Sequence, residues 1–184
     1  MAILKVQNND YNLANIYQIM NSYILYQKVY QEGKISGRQP VDYYGIHNLF
    51  GCFVDQKTIE NISLQMDATA KALGKDFGQC VRHFEIAFDS EGEDWLITPE
   101  MANWCAYQIA TKVFCNYQSV YAVHTNTENL HIHFVINAID LVTIRKPDTS
   151  VLFKELADYI NRRKDFPFTI TQIKTAAKYH PVVY

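Results

Sequence analysis

The segment 130–137, with the sequence LHIHFVIN, constrains the fold of this chain more than any other stretch. Large apolar residues alternate with polar ones along it, and it is rich in β-branched and aromatic residues, which predicts a β-strand. Residues two positions apart on a strand point to the same face. His131 and His133 should therefore present two imidazoles side by side, with Ile132 and Phe134 on the opposite face.

A third histidine should join this pair through a hairpin. The run 119–123 is apolar and predicts another strand that ends at His124, and the turn formers at residues 125–129 separate the two strands. A hairpin of this kind returns His124 to the strand of His131 and His133. Three neutral imidazoles that converge on one point are ligands that suit a divalent metal.

The spacing has alternative interpretations. One is that these are ordinary strand histidines beside a polar loop, but two at a period of two and a third across a hairpin argue against it. A structural zinc site and a metal hydrolase are both compatible with the spacing alone. A fourth protein ligand is not apparent in the segment 119–137, and three ligands with open positions favour a catalytic centre.

Composition bounds the class of protein. The chain has 184 residues, of which 48% are hydrophobic and 20% charged, and this predicts one globular domain with a sizeable core. No apolar run approaches the ~18 residues of a membrane span, and the N-terminus does not resemble a signal peptide, so no membrane insertion is expected. The four cysteines form no C-x-x-C pair, which predicts free buried thiols and a cytoplasmic location.

The charge balance bears on the partner. A formal net charge of −2 argues against a strongly basic nucleic-acid-binding protein, although a local basic groove and a bound metal would still attract DNA. The chain contains 13 tyrosines, whose rings can stack on the bases of single-stranded nucleic acid. Core packing is the simpler role for most of them.

Periodicity predicts an α+β fold with a central antiparallel sheet, a three-histidine metal site on one face of it and helices packed on the other. A strand is predicted over 81–88, with His83 and Glu85 on its polar face. Residues 31–40 are predicted to form an exposed loop, and 41–53 an irregular apolar segment. Helices are predicted over residues 12–30, 58–73, 98–116 and 152–163.

The segment that contains the three histidines resembles a motif of a known family. The run 124–137, HTNTENLHIHFVIN, is similar to the third motif of mobilisation relaxases, the HUH endonucleases that start the conjugation of plasmids and integrative elements. Tyr23 and Ile24 match the Tyr-Ile of an early helix in that family. The run HFEIAFD, which starts at His83, and the segment 140–146 also resemble it.

The resemblance covers residues 1–165, which we interpret as a relaxase-like nuclease domain. Residues 166–184 are then a C-terminal tail or the start of a further region, and the pattern assigns no element to them. The chain ends without a polar tail, which is compatible with a fragment of a longer relaxase.

The resemblance implies a mechanism. His124, His131 and His133 would hold one Mg²⁺ or Mn²⁺ at the scissile phosphate of single-stranded DNA from an origin of transfer. Tyr23 would attack and form a 5′-phosphotyrosyl intermediate, and the strands would later be rejoined. Tyr26, placed one helical turn later, is the alternative nucleophile. Relaxosome accessory proteins and a coupling protein are the implied protein partners.

Further residues are assigned roles around this centre. The family usually has Asp two residues after the first histidine, where this chain has Asn126; an amide can orient a histidine but cannot take its proton. Glu128 is expected to compensate as an acidic group. His83 and Glu85 face the right way to orient the metal ligands or to act as a base, and a structural role is the simpler one for His83. The candidates for contacts with DNA are Lys34, Arg38 and Tyr30.

Two other functions are kept as alternatives. A rolling-circle replication initiator or a single-strand transposase of the HUH class would place its nucleophile on a helix after the histidine motif, where Tyr159 is available. A non-catalytic relaxase-like protein that binds origin DNA without nicking is favoured by Asn126 and by the negative net charge.

Overall fold

The computed structural model describes residues 2–7, 15–31, 34–50, 56–88, 96–126 and 129–176. The strands are β1 (Ala2–Gln7), β2 (Tyr26–Gln31), β3 (Lys34–Pro40), β4 (Tyr43–His47), β5 (Val81–Phe88), β6 (Ser119–His124), β7 (His131–Asn137) and β8 (Ile170–Ala176). The helices are α1 (Ile16–Leu25), α2 (Gln56–Ala72), α3 (Pro99–Lys112) and α4 (Thr149–Arg162).

Six strands form one sheet in the order β4-β6-β7-β5-β1-β8, and β2 pairs with β3 in a separate two-stranded ribbon. Every pair in the large sheet is antiparallel except β1 with β8, which is parallel. The predicted α+β class with an antiparallel centre is therefore confirmed. None of the helices within these ranges combines the length and the apolar composition that crossing a bilayer requires.

Helices cover both faces of the sheet, whereas the sequence predicted them only on the face opposite the histidines. Helices α3 and α4 pack on that opposite face, against Phe84, Phe134 and other core residues. Helices α1 and α2 pack on the histidine face, where Val120 and Val135 belong to their cluster. The reason is that the histidine face is polar at only one end of β6 and β7, and its apolar remainder also needs burial.

The region before β4 departs most from the prediction. The helix predicted over 12–30 ends at Leu25, and the following residues form β2. The predicted loop 31–40 contains β3, whose residues are all exposed and which pairs with β2 in the ribbon. The irregular segment 41–53 contains the edge strand β4. A strand of five or six residues presents too short a pattern to distinguish it from a helix or a loop.

A close approach explains the glycine of β4. Gly45 lies directly opposite Tyr121 of β6 in the register of the two strands. A Cβ atom at position 45 would overlap the end of the Tyr121 ring, which is buried. The edge strand therefore stays in register only with a residue that lacks a side chain here.

The C-terminal segment belongs to the folded unit. Phe166, Phe168 and Ile170 are buried in the core cluster of α3 and α4. Strand β8 then pairs with β1 along its length, with an irregularity in the register between Ala2 and Ile3. The fold therefore extends past residue 165 to at least Ala176.

Candidate metal centre

The β6–β7 hairpin brings the three histidines together, as the sequence predicts. His124 lies directly opposite His131, and His133 lies opposite Ala122. The ring centroids of His124 and His133 are 4.5 Å apart, and those of His131 and His133 are 4.8 Å apart. One ligand atom from each of the three side chains lies within 4.8 Å of the others. The rings thus surround a space of the size that a single cation occupies.

Backbone carbonyls fix the orientation of two rings. The Nε2 atom of His124 lies 2.6 Å from the carbonyl oxygen of Ile24, and the Nδ1 atom of His131 lies 2.9 Å from that of Asn129. A carbonyl oxygen only accepts, so these two nitrogens carry the protons of the neutral rings. His124 Nδ1 and His131 Nε2 are then the nitrogens that carry the lone pairs of the two rings.

The third ring contacts a fourth histidine. His133 Nδ1 lies 3.1 Å from His83 Nε2, and the two rings are stacked with centroids 5.2 Å apart. If the proton of this bond resides on His133, the lone pair of His133 Nε2 is free. The remaining nitrogen of His83, Nδ1, is buried without a hydrogen-bond partner in the described part of the chain.

Burial keeps the imidazoles of His83, His124 and His133 neutral. Desolvation lowers the pKa of His124 to about 4, against a weaker opposing effect of the hydrogen bond to the Ile24 backbone. Desolvation, reinforced by His124, lowers the pKa of His83 to about 3. The pKa of His133 is lowered well below its usual value, again mainly by desolvation. Unprotonated imidazoles at neutral pH are the state that a divalent cation requires, so the donor set fits such an ion.

Glu85 faces the site but engages another strand. It lies opposite His133 on one side and opposite Lys5 on the other. Its carboxylate accepts a hydrogen bond from Lys5 Nζ at 2.7 Å. No sequence pattern singles out Lys5, because only the pairing of β1 with β5 brings it beside Glu85.

Tyr23 lies at the histidine cluster. Its ring makes edge-on contacts with His83 and His133, with centroid separations of 5.6 and 5.7 Å. Tyr26 is not one turn further along the same helix, because α1 ends at Leu25 and Tyr26 begins β2. Tyr26 is half-buried and packs against the cluster of α1 and α2.

Tyr159 lies on the other side of the sheet. It is part of α4, packs against the core of α3 and α4, and contacts the ring of Phe166 at 5.9 Å. Its hydroxyl accepts a hydrogen bond from Arg163 Nη1 at 3.1 Å. The sheet therefore separates Tyr159 from the three histidines.

The loop after His124 is tied to the ribbon. The side-chain amide of Asn126 donates to the carbonyl oxygen of Lys28 at 2.8 Å, and the backbone N–H of Thr125 donates to Gln27 Oε1 at 3.2 Å. Asn126 thus contacts the backbone of β2, a contact that the sequence did not predict. Glu128 lies outside the described residues.

The predicted DNA-contacting residues lie on the ribbon. Lys34 and Arg38 are exposed on β3. In the register of the ribbon Arg38 lies opposite Lys28, and Lys34 lies opposite Gln31. Tyr30 lies on β2 opposite Ile35. The facing cations Lys28 and Arg38 repel each other, so an anion placed between them would stabilise the ribbon.

Residues 44–164 match the family described as "Relaxase: MobA/VirD2-like, nuclease domain". The chain belongs to this relaxase family. The resemblance stated from the sequence is thereby confirmed. All three clustered histidines fall within the matched residues, whereas Tyr23 precedes them.

Curated relatives agree with this assignment over shorter segments. One, named "Protein rlx" from Staphylococcus aureus, is 32% identical over 69 residues, which are 38% of this chain and 21% of the relative. Another "Protein rlx" from Staphylococcus aureus is 40% identical over 50 residues, or 27% of this chain and 15% of the relative. The matched segments therefore span a minor part of these relatives. No solved structure matches the chain.

Proposed function

We propose that this relaxase domain nicks single-stranded DNA at an origin of transfer, with Tyr23 as the nucleophile. The observation that carries the proposal is the position of the Tyr23 ring, which contacts both His83 and His133 edge-on. A nucleophile must be held beside the group that binds the scissile phosphate, and this ring is beside the histidine cluster.

We propose that the three histidines bind a divalent cation, either Mg²⁺ or Mn²⁺. His124, His131 and His133 would hold it through the ring nitrogens that carry lone pairs. When bound, such a cation withdraws charge from the scissile phosphate and makes the phosphorus more electrophilic. Nitrogen ligands with open positions leave room for phosphate oxygens.

The chemistry is a transfer of one phosphodiester bond. The Tyr23 oxygen forms a bond to phosphorus as the bond between phosphorus and the 3′ oxygen breaks. The phenol loses its proton, the departing 3′ oxygen gains one, and the 5′ phosphate stays on the tyrosine. Attack by a 3′-hydroxyl group on this linkage reverses the reaction and rejoins the strands.

The position of Tyr23 is restricted by a hydrogen bond to the next residue of the helix. Ile24, the next residue of α1, accepts the hydrogen bond of His124 Nε2 at 2.6 Å. The last turn of α1 is therefore tied to one of the histidines, which restricts the position of the phenol relative to the cluster. Pre-positioning of this kind lowers the entropic cost of attack.

The ribbon would bind the DNA. Lys34 and Arg38, together with Lys28, place positive charge beside the loop that follows His124. Their side chains can contact phosphates, which position a strand without reading its bases. Accessory proteins of a relaxosome and a coupling protein are the proposed partners of this cytoplasmic reaction.

A protein that binds the origin without nicking is the second candidate. The observation that favours it is Asn126, which stands where the family usually has an aspartate and whose amide is engaged by the backbone of Lys28. The replication-initiator alternative loses support, because the nucleophile that it would require, Tyr159, packs on the far face of the sheet.

The test is covalent capture of DNA. Single-stranded oligonucleotides that tile candidate origin regions are incubated with the protein and Mn²⁺, and the products are separated on a denaturing gel. We expect a protein–DNA adduct with the wild type and with Tyr26→Phe, and none with Tyr23→Phe. An adduct that persists in Tyr23→Phe would refute Tyr23 as the nucleophile. Binding of an origin strand without any adduct would support the non-nicking alternative.

A further inference from the structure

The metal centre borders an open part of the histidine face. Helix α1 packs on β5, β6 and β7, which buries the apolar end of that face. Further along the sheet, Lys5 of β1 and Lys174 of β8 are register partners and lie on this same face. Gln172 shares the face because it is two residues from Lys174 on the same strand. Gln172 and Lys174 are exposed, and Lys5 is half-buried. Solvent therefore reaches the sheet directly beside the site.

A row of charged residues crosses this open surface. His133 of β7 lies opposite Glu85, Glu85 lies opposite Lys5, and Lys5 lies opposite Lys174. Neighbouring strands are about 4.8 Å apart, so the three steps from His133 to Lys174 span about 14 Å. The row leads straight away from the metal centre, toward the β8 edge of the sheet.

The positive charge in this row exceeds the negative charge. The carboxylate of Glu85 is occupied by Lys5 at 2.7 Å. Lys174 makes no ion pair or hydrogen bond within the described residues, and it stands beside Lys5, a second cation. A phosphate group that contacts Lys174 would supply the counter-charge that Glu85 supplies to Lys5.

The surface lies opposite the ribbon with respect to the histidines. The ribbon is joined to the loop after His124, at the end of β6, through Asn126 and Lys28. Strand β8 lies at the other edge of the sheet, beyond β7, β5 and β1. A strand of DNA that passed over the metal centre from the ribbon would next meet Lys5 and Lys174.

We propose that Lys174, with Lys5 beside it, binds a backbone phosphate of the single-stranded DNA on the side of the metal centre away from the ribbon. The inference rests on the proposed function and adds a second contact region for the same substrate. In B-form DNA the phosphates of one strand advance by ~3.4 Å each along the helix axis, and they advance further when the strand is extended. Four nucleotides or fewer, by that ~14 Å span, reach Lys174 from the centre.

The experiment measures the salt dependence of DNA binding. Fluorescence anisotropy follows a labelled oligothymidylate of about 20 nucleotides, long enough to cover a single-strand binding site, over a series of salt concentrations. Each phosphate contact to a single strand contributes ~0.7 to the slope of log K against log salt concentration. We expect Lys174→Gln to reduce the magnitude of this slope by ~0.7, and Lys174→Arg to keep the wild-type slope.

A matched variant controls for net charge. Lys154 is exposed on α4, which packs on the opposite face of the sheet, and Lys154→Gln removes the same charge. We expect the Lys154→Gln slope to equal that of the wild type. Thermal melting of each variant checks that the fold is intact, which is expected because both lysines are exposed.

The outcomes separate this inference from the proposed function. If the wild type binds with a salt-dependent affinity and Lys174→Gln has the same slope, the Lys174 contact is refuted while the relaxase proposal stands. An equal loss in Lys174→Gln and Lys154→Gln would also refute it, since the effect would then reflect overall charge. If the wild type does not bind the strand at all, the Lys174 contact is refuted, because phosphate contacts do not depend on the base sequence, whereas cleavage at an origin is decided separately by the covalent adduct.

Discussion

The contact between His83 and His133 leads to a prediction about metal affinity. Within the described residues, His83 Nε2 is the hydrogen-bond partner of His133 Nδ1, at 3.1 Å. By accepting the Nδ1 proton it would hold the His133 ring in the tautomer that offers Nε2 to a metal ion. Replacement of His83 by leucine, which has a similar volume, removes this acceptor and leaves the three proposed metal ligands unchanged.

The magnitude depends on two separate effects. Loss of a group that orients a metal-bound histidine costs about 10–100-fold in affinity, or about 1.4–2.8 kcal/mol. The stability of the metal-free protein should change much less. His83→Leu leaves His133 Nδ1 without a partner, at a cost of about 1–3 kcal/mol, but it also removes the buried unpartnered Nδ1 of His83, which offsets a similar amount.

The assay is isothermal titration of the metal-free protein with Mn²⁺ at neutral pH, with urea unfolding of the same samples. We expect His83→Leu to bind about 10–100-fold more weakly than the wild type. His83→Gln is the matched control, because its side-chain oxygen can accept the same proton, and it should recover most of the affinity. Wild-type affinity in His83→Leu would refute the orienting role, as would an equal loss in His83→Gln.

Three further predictions concern the stability of the fold: its dependence on pH, the glycine of the edge strand β4 and the N-terminal cap of α3. The free energy of unfolding of the metal-free protein should fall as the pH is lowered from 6.5 toward 4, because His124 binds a proton in the unfolded chain but not in the folded protein, where its pKa is about 4. The slope for this group is at most ~1.4 kcal/mol per pH unit. Equal urea midpoints at pH ~7 and ~5 would contradict this prediction. Gly45→Ala should destabilise the fold by about 1–3 kcal/mol in urea unfolding, because the alanine Cβ would overlap the Tyr121 ring. An unchanged midpoint would show that the ring moves aside without cost. Thr98→Ala should cost ~1 kcal/mol by the same measurement, because the Thr98 side chain accepts from the Met101 N–H at the start of α3, and Thr98→Ser should restore most of it.

Local sequence patterns were enough to define the hairpin and its histidines. Alternation along β7 put His131 and His133 on one face, and the pairing of β6 with β7 brought His124 to them. The contacts among the three histidines therefore join residues that are near one another in the chain. The later helices α2, α3 and α4 also agreed with local signals, such as the Thr98 cap and the apolar period. Among the cysteines, the prediction of burial holds for Cys80 and Cys105 but is wrong for Cys115, which is exposed, and Cys52 lies outside the described residues.

Long-range contacts set the end of α1 and the course of the chain after it. The apolar spacing continues past Leu25, but the backbone carbonyl of Ile24 accepts from His124, one hundred residues away, and the chain then leaves as β2. No local pattern contains that contact. The ribbon strand β3 carries no apolar alternation at all, because every residue of it is exposed. It is a strand because it pairs with β2.

The order of strands in the sheet selected the residues that surround the centre. Lys5 and Lys174 reach the histidine face only because β1 pairs with β5 and β8 pairs with β1, and β8 comes from a segment with no recognisable pattern. The sequence assigned Glu85 to the histidines, whereas its carboxylate bonds to Lys5. Spacing along a strand fixes the face of a side chain, but its partner across the sheet depends on strand order, which contacts between distant parts of the chain establish.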